Sequence, residues 1–255
     1  MTTATITQIY QHASVRSYTP DPVPPQMIES IVAAGLRSST SSNLHMFSVV
    51  AVTDAARREQ LAELCGQQNH IRQAPVFLAW CADLSRLERI SNWRGHEQVA
   101  DYVENFLLAA VDTAILMQTA TLAAESLGLG MCYIGAIRNN SQAVIDLLGL
   151  PRLVFPIAGM TLGWPARPHQ PRPKLPVRAV LHWEQYQTDG EADALREYDE
   201  AMIATGIYRG RQVAAPGQRD EMEAYGWTEH SARRVSQVHR PDLREVLEKQ
   251  GFALK

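Results

Sequence analysis

The stretch from Val103 to Arg138 constrains the fold most. From Phe106 to Leu127 apolar residues fall on nearly every side of a helical wheel, whereas a helix at a protein surface keeps a polar face. Such a helix must be wrapped by protein on most sides, either in the middle of a domain or at the seam of a dimer. Asp112 and Gln118 interrupt the run, so it reads as a core helix and not as a membrane span of ~20 apolar residues. Gly128 is placed to end it, because glycine takes the left-handed conformation without steric cost. A short strand, Met131 to Gly135, follows. At Gly135 the backbone could approach a flat ligand closely; a core helix, a cap and a core strand would suit the pattern equally.

Further apolar runs at Phe47–Val52, Pro75–Asp83 and Val154–Pro165 read as strands. The second is continuous and fits a strand buried on both faces. Helices are expected over Pro25–Leu36, over Ala55–Leu64 with Asp54 as its cap, within the polar stretch 84–100, and from Asn139 or Asn140 to Leu148. The intervals are uneven and no G-x-G-x-x-G opens a helix, which argues against a dinucleotide-binding array. The expectation is α+β, with helices around one central sheet. After residue 190 the pattern changes. Helices are expected over Ala192–Ala204, Thr228–Val238 and Asp242–Gln250, with a loop over Gly210–Gly217. This tail has too few apolar residues for its own core. The expected division is a body, 1–190, and a helical extension, 191–255, packing on the body or on a partner subunit.

A net charge of −3 gives no pull towards nucleic acid or an anionic membrane. Arg209, Arg211, Arg233 and Arg234 could serve a polyanion, but Asp220, Glu221, Glu223 and Glu229 lie among them. The first residues show no secretory signal, so a cytoplasmic protein is expected. Cys65, Cys81 and Cys132 are odd in number and widely spaced in apolar surroundings. They read as buried reduced thiols, not as disulfides or a metal site. No G-x-S-x-G elbow supports a serine hydrolase.

Three polar elements remain. His12, Ser14 and Arg16 alternate within residues 8–18; in an extended segment they would project to one side as a cradle for an anion, or form a solvated arm. Ser38–Asn43 is a run of hydroxyl and amide side chains, fit for a polar ligand or a linker. Arg172 and Lys174 alternate in the proline-stiffened Pro171–Pro176, either as a second basic element or as an exposed linker.

Taken in order, the His12-x-Ser14-x-Arg16 pattern, the Ser38–Ser42 run, Gly66-Gln67-Gln68-Asn69-His70, Ala124–Gly130 with Tyr133-Ile134-Gly135 and Arg138-Asn139-Asn140, Leu162–Pro165 and Arg172–Pro176 resemble the nitroreductase superfamily. Within it the chain is similar to the NADPH-dependent, oxygen-insensitive nitroreductases and flavin reductases. The resemblance implies a nitroreductase-like α+β fold with a mixed central sheet, and a homodimer with FMN sites at the subunit interface. It implies that His12, Ser14, Arg16, Arg172 and Lys174 hold the phosphate and ribityl chain, and that Ser39, Thr40, Ser41, Gln68, Tyr133, Ile134 and Gly135 line the flavin. Arg209 would meet the 2′-phosphate of NADPH. The implied activity is ping-pong two-electron reduction of nitroaromatics, quinones or other flat acceptors, with the chemistry carried by FMN and no catalytic side chain or metal. A reductase supplying free reduced flavin is the alternative; a non-catalytic flavin-binding module would hold the cofactor without NADPH turnover. The family commonly has Lys then Arg where Arg172 and Lys174 stand, and often Gln where His45 stands.

Overall fold

The computed structural model describes residues 1–214 and 222–255. Part of the loop expected over Gly210–Gly217, together with Asp220 and Glu221, lies outside the described residues. In chain order the elements are α1 (Ala4–Tyr10), α2 (Pro25–Gly35), β1 (Phe47–Val52), α3 (Ala55–Leu64), α4 (Asn69–Gln73), β2 (Val76–Asp83), α5 (Ser85–Arg94), α6 (Val103–Ser126), β3 (Gly130–Ile134), α7 (Ser141–Leu148) and β4 (Val154–Gly163). There follow α8 (Glu191–Ala204), β5 (Gln212–Ala214), β6 (Met222–Ala224), α9 (Trp227–Val235) and α10 (Leu243–Lys249). The chain forms two compact units, one of residues 1–170 with 240–255, the other of residues 171–239. The sequence reading divided it at residue 190 instead; composition does not reveal that α10 returns to the first unit.

The first unit is built on a sheet of order β1-β2-β4-β3, in which every neighbouring pair is antiparallel. Its mixed character comes from one parallel bridge, Ser14 to Met131, on the outer edge of β3. β2 is buried along its whole length between β1 and β4. Trp80 faces Ala158 but Cys81 faces Pro156. Pro156 has no N–H for the ladder, and the shift leaves Ile157 as the bulged residue. The Ile157 carbonyl instead accepts from Arg138.

Helix α6 lies against this sheet and against α2. A Cβ on Gly35 of α2 would stand 3.1 Å from both Leu116 and Ala120, so that glycine permits the close crossing. The helix ends in a Schellman motif: Gly128 (φ +80°) donates to Glu125 O at 3.0 Å and Leu129 to Ala124 O at 3.1 Å. The chain does not wrap α6 on most sides, as its composition led one to expect. Leu107, Val111 and Ile115 remain 52, 47 and 40 % exposed. At i, i+4 and i+8 they form one uncovered stripe. In a third cluster Phe252 and the α10 residues Val246 and Leu247 pack with Phe155 and Phe106, whose ring centre is 5.3 Å from Phe252 and 6.1 Å from Phe155.

Local departures from the sequence reading have simple causes. Residues 8–10 belong to α1, capped by Thr3, so only the part after it is extended. Asn69 and His70, the end of the Gly66–His70 motif, begin α4. The helix within 84–100 ends at Arg94, where Gly95 (φ +74°) takes the left-handed cap. Gln212–Ala214 pairs with Met222–Ala224 as an antiparallel ladder, a pairing too short to show in hydropathy. Within the second unit, Tyr198 and Trp227 meet at 5.1 Å, and Asp199 accepts the Thr228 N–H at 2.8 Å.

Candidate functional site

The segment after α1 is fastened to the sheet at several points. Val15 donates its N–H to Met131 O (2.8 Å), and Thr19 donates to Trp164 O (2.9 Å). Val15 and Tyr18 are buried, and the Tyr18 hydroxyl meets both Val15 O and Thr161 Oγ1 at 2.7 Å. Gly130 is required here, because a Cβ on it would lie 2.5 Å from Val15 Cγ2. Anchoring Val15 inward leaves Ser14 and Arg16 exposed on the opposite side. No carboxylate among the described residues pairs with Arg16. The His12 Nδ1 lies 2.6 Å from Glu125 Oε1 on the last turn of α6.

Arg16 reaches the electrostatic surroundings of α4. Burial lowers the His70 pKa and the nearby Arg16 charge lowers it further, while His70 Nε2 is buried without a hydrogen-bond partner. The preceding turn is left-handed at Gly66 (φ +82°) and Gln67 (φ +59°). Gln68 donates its amide to Cys65 O at 2.7 Å, closing that turn on itself.

Tyr133, Ile134 and Gly135 do not present their side chains alike. Tyr133 packs towards α6, with its hydroxyl 2.6 Å from Thr121 Oγ1 and 3.0 Å from Gln118 Oε1. Burial raises its pKa, the Thr121 hydrogen bond opposes this, and the Glu125 charge adds to it. Ile134 is buried in the core between the sheet and α3 and α7. Gly135 has room: an added Cβ would meet nothing nearer than Arg138 Nη2 at 3.7 Å. Gly135 opens the turn that follows this strand. Beside it stands a residue that the sequence reading missed. Arg240 donates to Gly135 O (3.0 Å) and to Asn139 Oδ1 (3.1 Å). It is an arginine in a polar tail, and no local pattern links it to a strand end so far back in the chain.

The hydroxyl run is tied to α6. Ser41 N–H is bound by Asp112 Oδ1 at 2.9 Å, and Ser42, Asn43 and His45 all have positive φ, at 47, 58 and 51°. Three non-glycine residues in this region store local strain of a kind common at ligand-binding loops. Ser38 Oγ and Asp112 Oδ2 are buried without hydrogen-bond partners among the described residues. Ser39 is exposed, and Thr40 and Ser41 are half-buried.

Arg172, Lys174 and Arg209 belong to the second unit, and all three are exposed. Arg209 lines a cavity of about 600 Å³ with Tyr208, Arg211 and Tyr225. Arg211 and Arg233 lie 5.6 and 5.7 Å from the Tyr225 ring centre. Burial raises the Tyr208 pKa, and Arg172 pulls it back. Guanidinium groups with aromatic faces suit a phosphorylated heterocycle.

No cluster of metal-ligating side chains occurs among the described residues. The three cysteines are buried and form no disulfide; burial pushes the Cys65 and Cys81 thiols up to about 12, against nucleophilic use. What the first unit offers an anion is the exposed Ser14 hydroxyl and Arg16 guanidinium, together with room beside the Gly135 backbone.

The chain was compared with known proteins. The profile of the Nitroreductase family matches residues 9–164, and that of the Nitroreductase family, C-terminal domain, matches residues 172–255. The chain is 40 % identical over 251 residues to an oxygen-insensitive NADPH nitroreductase of Salmonella typhimurium, covering 98 % of this chain and 99 % of that one. It is 37 % identical over 255 residues to an FMN reductase [NAD(P)H] of Bacillus subtilis, covering 98 % of each. Among solved structures, a hypothetical oxidoreductase from Bacillus subtilis superposes with a TM-score of 0.91 at 36 % identity over all of both chains. The NADPH:FMN oxidoreductase of Vibrio harveyi complexed with NAD+ gives 0.86 at 34 %, covering 98 % of this chain and 99 % of that one.

Proposed function

This chain belongs to the nitroreductase family, and from that premise we propose that it is an FMN-dependent oxidoreductase that uses NADPH to reduce flat aromatic acceptors, nitroaromatics and quinones among them. FMN, when bound, would supply the two-electron chemistry between NADPH and the acceptor. The observation that carries the reading is the Ser14–Arg16 segment. The sheet holds it in place, with an exposed guanidinium and hydroxyl facing out and no carboxylate among the described residues paired with Arg16.

The roles of the residues follow from their chemistry. Arg16 offers a planar fork and Ser14 a hydroxyl to a phosphate, and His12 adds a ring N–H. Gly135 lets the flat ring lie against backbone, while Arg240, fixed to its carbonyl, brings positive charge to that edge, where a reduced ring would carry negative charge. Ser39, Thr40, Ser41 and Gln68 supply polar contacts, and Tyr133 and Ile134 act through their backbone, since both side chains are engaged elsewhere. Arg172 and Lys174 are proposed phosphate donors, and Arg209, with the tyrosines of its cavity, is the proposed contact of the NADPH 2′-phosphate. The exposed Leu107–Val111–Ile115 stripe is covered by a second copy of the chain, making a homodimer. A cytoplasmic location fits an NADPH-consuming enzyme.

The test is an absorbance spectrum of the purified protein during anaerobic addition of NADPH. Flavin bands that bleach, then return with a nitroaromatic or a quinone, are expected. A colourless protein that refuses added FMN would overturn the reading. Relatives named FMN reductase and NADPH-flavin oxidoreductase favour a second reading, in which free flavin is the acceptor; kcat/KM for free FMN against nitroaromatics separates the two. Arg16→Ala and, separately, Lys174→Ala are each expected to weaken FMN retention.

A further inference from the structure

We propose that Glu125 is a positioning residue that sets the hydrogen-bonding state of His12 for the phosphate of FMN; this rests on the reading of His12 as a phosphate donor. The two side chains come from distant parts of the chain and meet at 2.6 Å between His12 Nδ1 and Glu125 Oε1. They are 26 and 13 % exposed. An ionised carboxylate only accepts, so the proton on this contact belongs to Nδ1. Nε2 is then the ring atom left to face a ligand, and in a ring that carries both protons it donates.

Three further observations support the assignment. Glu125 Oε2 is buried and, among the described residues, has no hydrogen-bond partner, and His12 is the side chain paired with this carboxylate. The backbone on either side of His12 is fixed independently of Glu125, by Gln8 Nε2 donating to Leu122 O (2.5 Å) and Val15 N–H donating to Met131 O (2.8 Å). The contact is therefore not needed to dock the segment; what it fixes is the imidazole. Gln118, Thr121 and Glu125 also form one polar stripe along the otherwise apolar α6, with Tyr133 hydrogen-bonded to the first two. That rigid helix holds the carboxylate in place. Arg167 and His169 line the same hollow as Glu125, and the Glu125 charge also acts on the Tyr133 hydroxyl.

The test compares FMN with riboflavin, which lacks the phosphate, by fluorescence titration of flavin-depleted protein. Glu125→Ala and Glu125→Gln should each weaken FMN about tenfold, as loss of an outer partner of a ligating imidazole does, and leave riboflavin affinity unchanged. Glu125→Asp should recover part of the loss. Equal weakening of both flavins, or no change in either, overturns the proposal. His12→Ala separates its failure from that of its premise. If His12→Ala abolishes the preference for FMN but the Glu125 variants do not, only the positioning role falls. If His12→Ala leaves the preference intact, the phosphate reading of His12 falls as well. Should a Glu125 variant fail to fold, imidazole 15N chemical shifts of the wild-type protein still decide: Nδ1 of His12 should carry a proton, and a ring protonated at Nε2 alone would overturn the assignment.

Discussion

Asp112, in the middle of the most apolar helix of the chain, binds the backbone N–H of Ser41 at 2.9 Å. A carboxylate only 2 % exposed is thus the peg on which the hydroxyl loop hangs, and its Oδ2 has no hydrogen-bond partner among the described residues. Asp112→Ala is expected to leave that N–H unsatisfied at a cost of about 1–3 kcal/mol and to loosen Ser39–Ser41. Thermal melting and FMN titration should both register the loss, with Asp112→Asn milder because it keeps an acceptor. A variant that melts and binds like the parent would remove the loop from the site.

Arg209 separates the two nicotinamide cofactors. If its guanidinium meets the 2′-phosphate, Arg209→Ala removes a charge-assisted contact and should raise KM for NADPH roughly tenfold or more, with KM for NADH unmoved. Steady-state kinetics with both reductants decide. Parallel rises would point to general disruption of the cavity walls.

Asp83 gives the protein a predictable acid response. Burial alone would raise its pKa, but hydrogen bonds from the Ser48 and Ser85 hydroxyls, the Arg86 charge and the Arg86 N–H outweigh that and lower it below 3.8. A carboxyl with a depressed folded-state pKa contributes stability above its unfolded value, and that contribution is lost as pH falls through the folded value. Melting temperature should therefore drop as the pH is taken below about 4. Asp83→Asn should be less stable at neutral pH and show a shallower acid slope. A slope equal to that of the parent would refute this role.

The uncovered stripe on α6 predicts the assembly state. Leu107→Glu combined with Ile115→Glu should leave the chain's own core intact, since both positions are largely exposed, while placing charge in a dimer seam. Light scattering should then report a monomer. A dimer that persists would place the interface on another face.

Much of the frame was legible from the residues. β1 and β2, the Asp54 cap and the α6–β3 junction follow from apolar runs, a side-chain acceptor and Gly128. The failures have a common physical basis. Arg240 reaches Gly135, Asp112 reaches Ser41, and Glu125 reaches His12, all through contacts between residues far apart in sequence. Local periodicity carries no record of such pairings. The same limit explains Tyr133, whose place in a motif identified the strand but not the face its ring would occupy. The exposed side of α6 was misjudged for another reason. A wheel that is apolar all round reports total burial and is silent on whether the covering atoms belong to the same polypeptide.

Phe252 completes a core with Phe106 and Phe155, yet the whole of the second unit is spelled out between them in the chain. The first unit is therefore discontinuous in synthesis. Its sheet and α6 are made early but cannot close that cluster until residues beyond 240 have left the ribosome. Until then Phe106 and Phe155 lack one wall of their packing, next to a helix that already carries a bare apolar stripe. Such an intermediate is sticky on two surfaces, and long-range closure of this kind slows folding. The return of α10 thus makes residues 240–255 a timing element, deciding when the packing of Phe106 and Phe155 is complete.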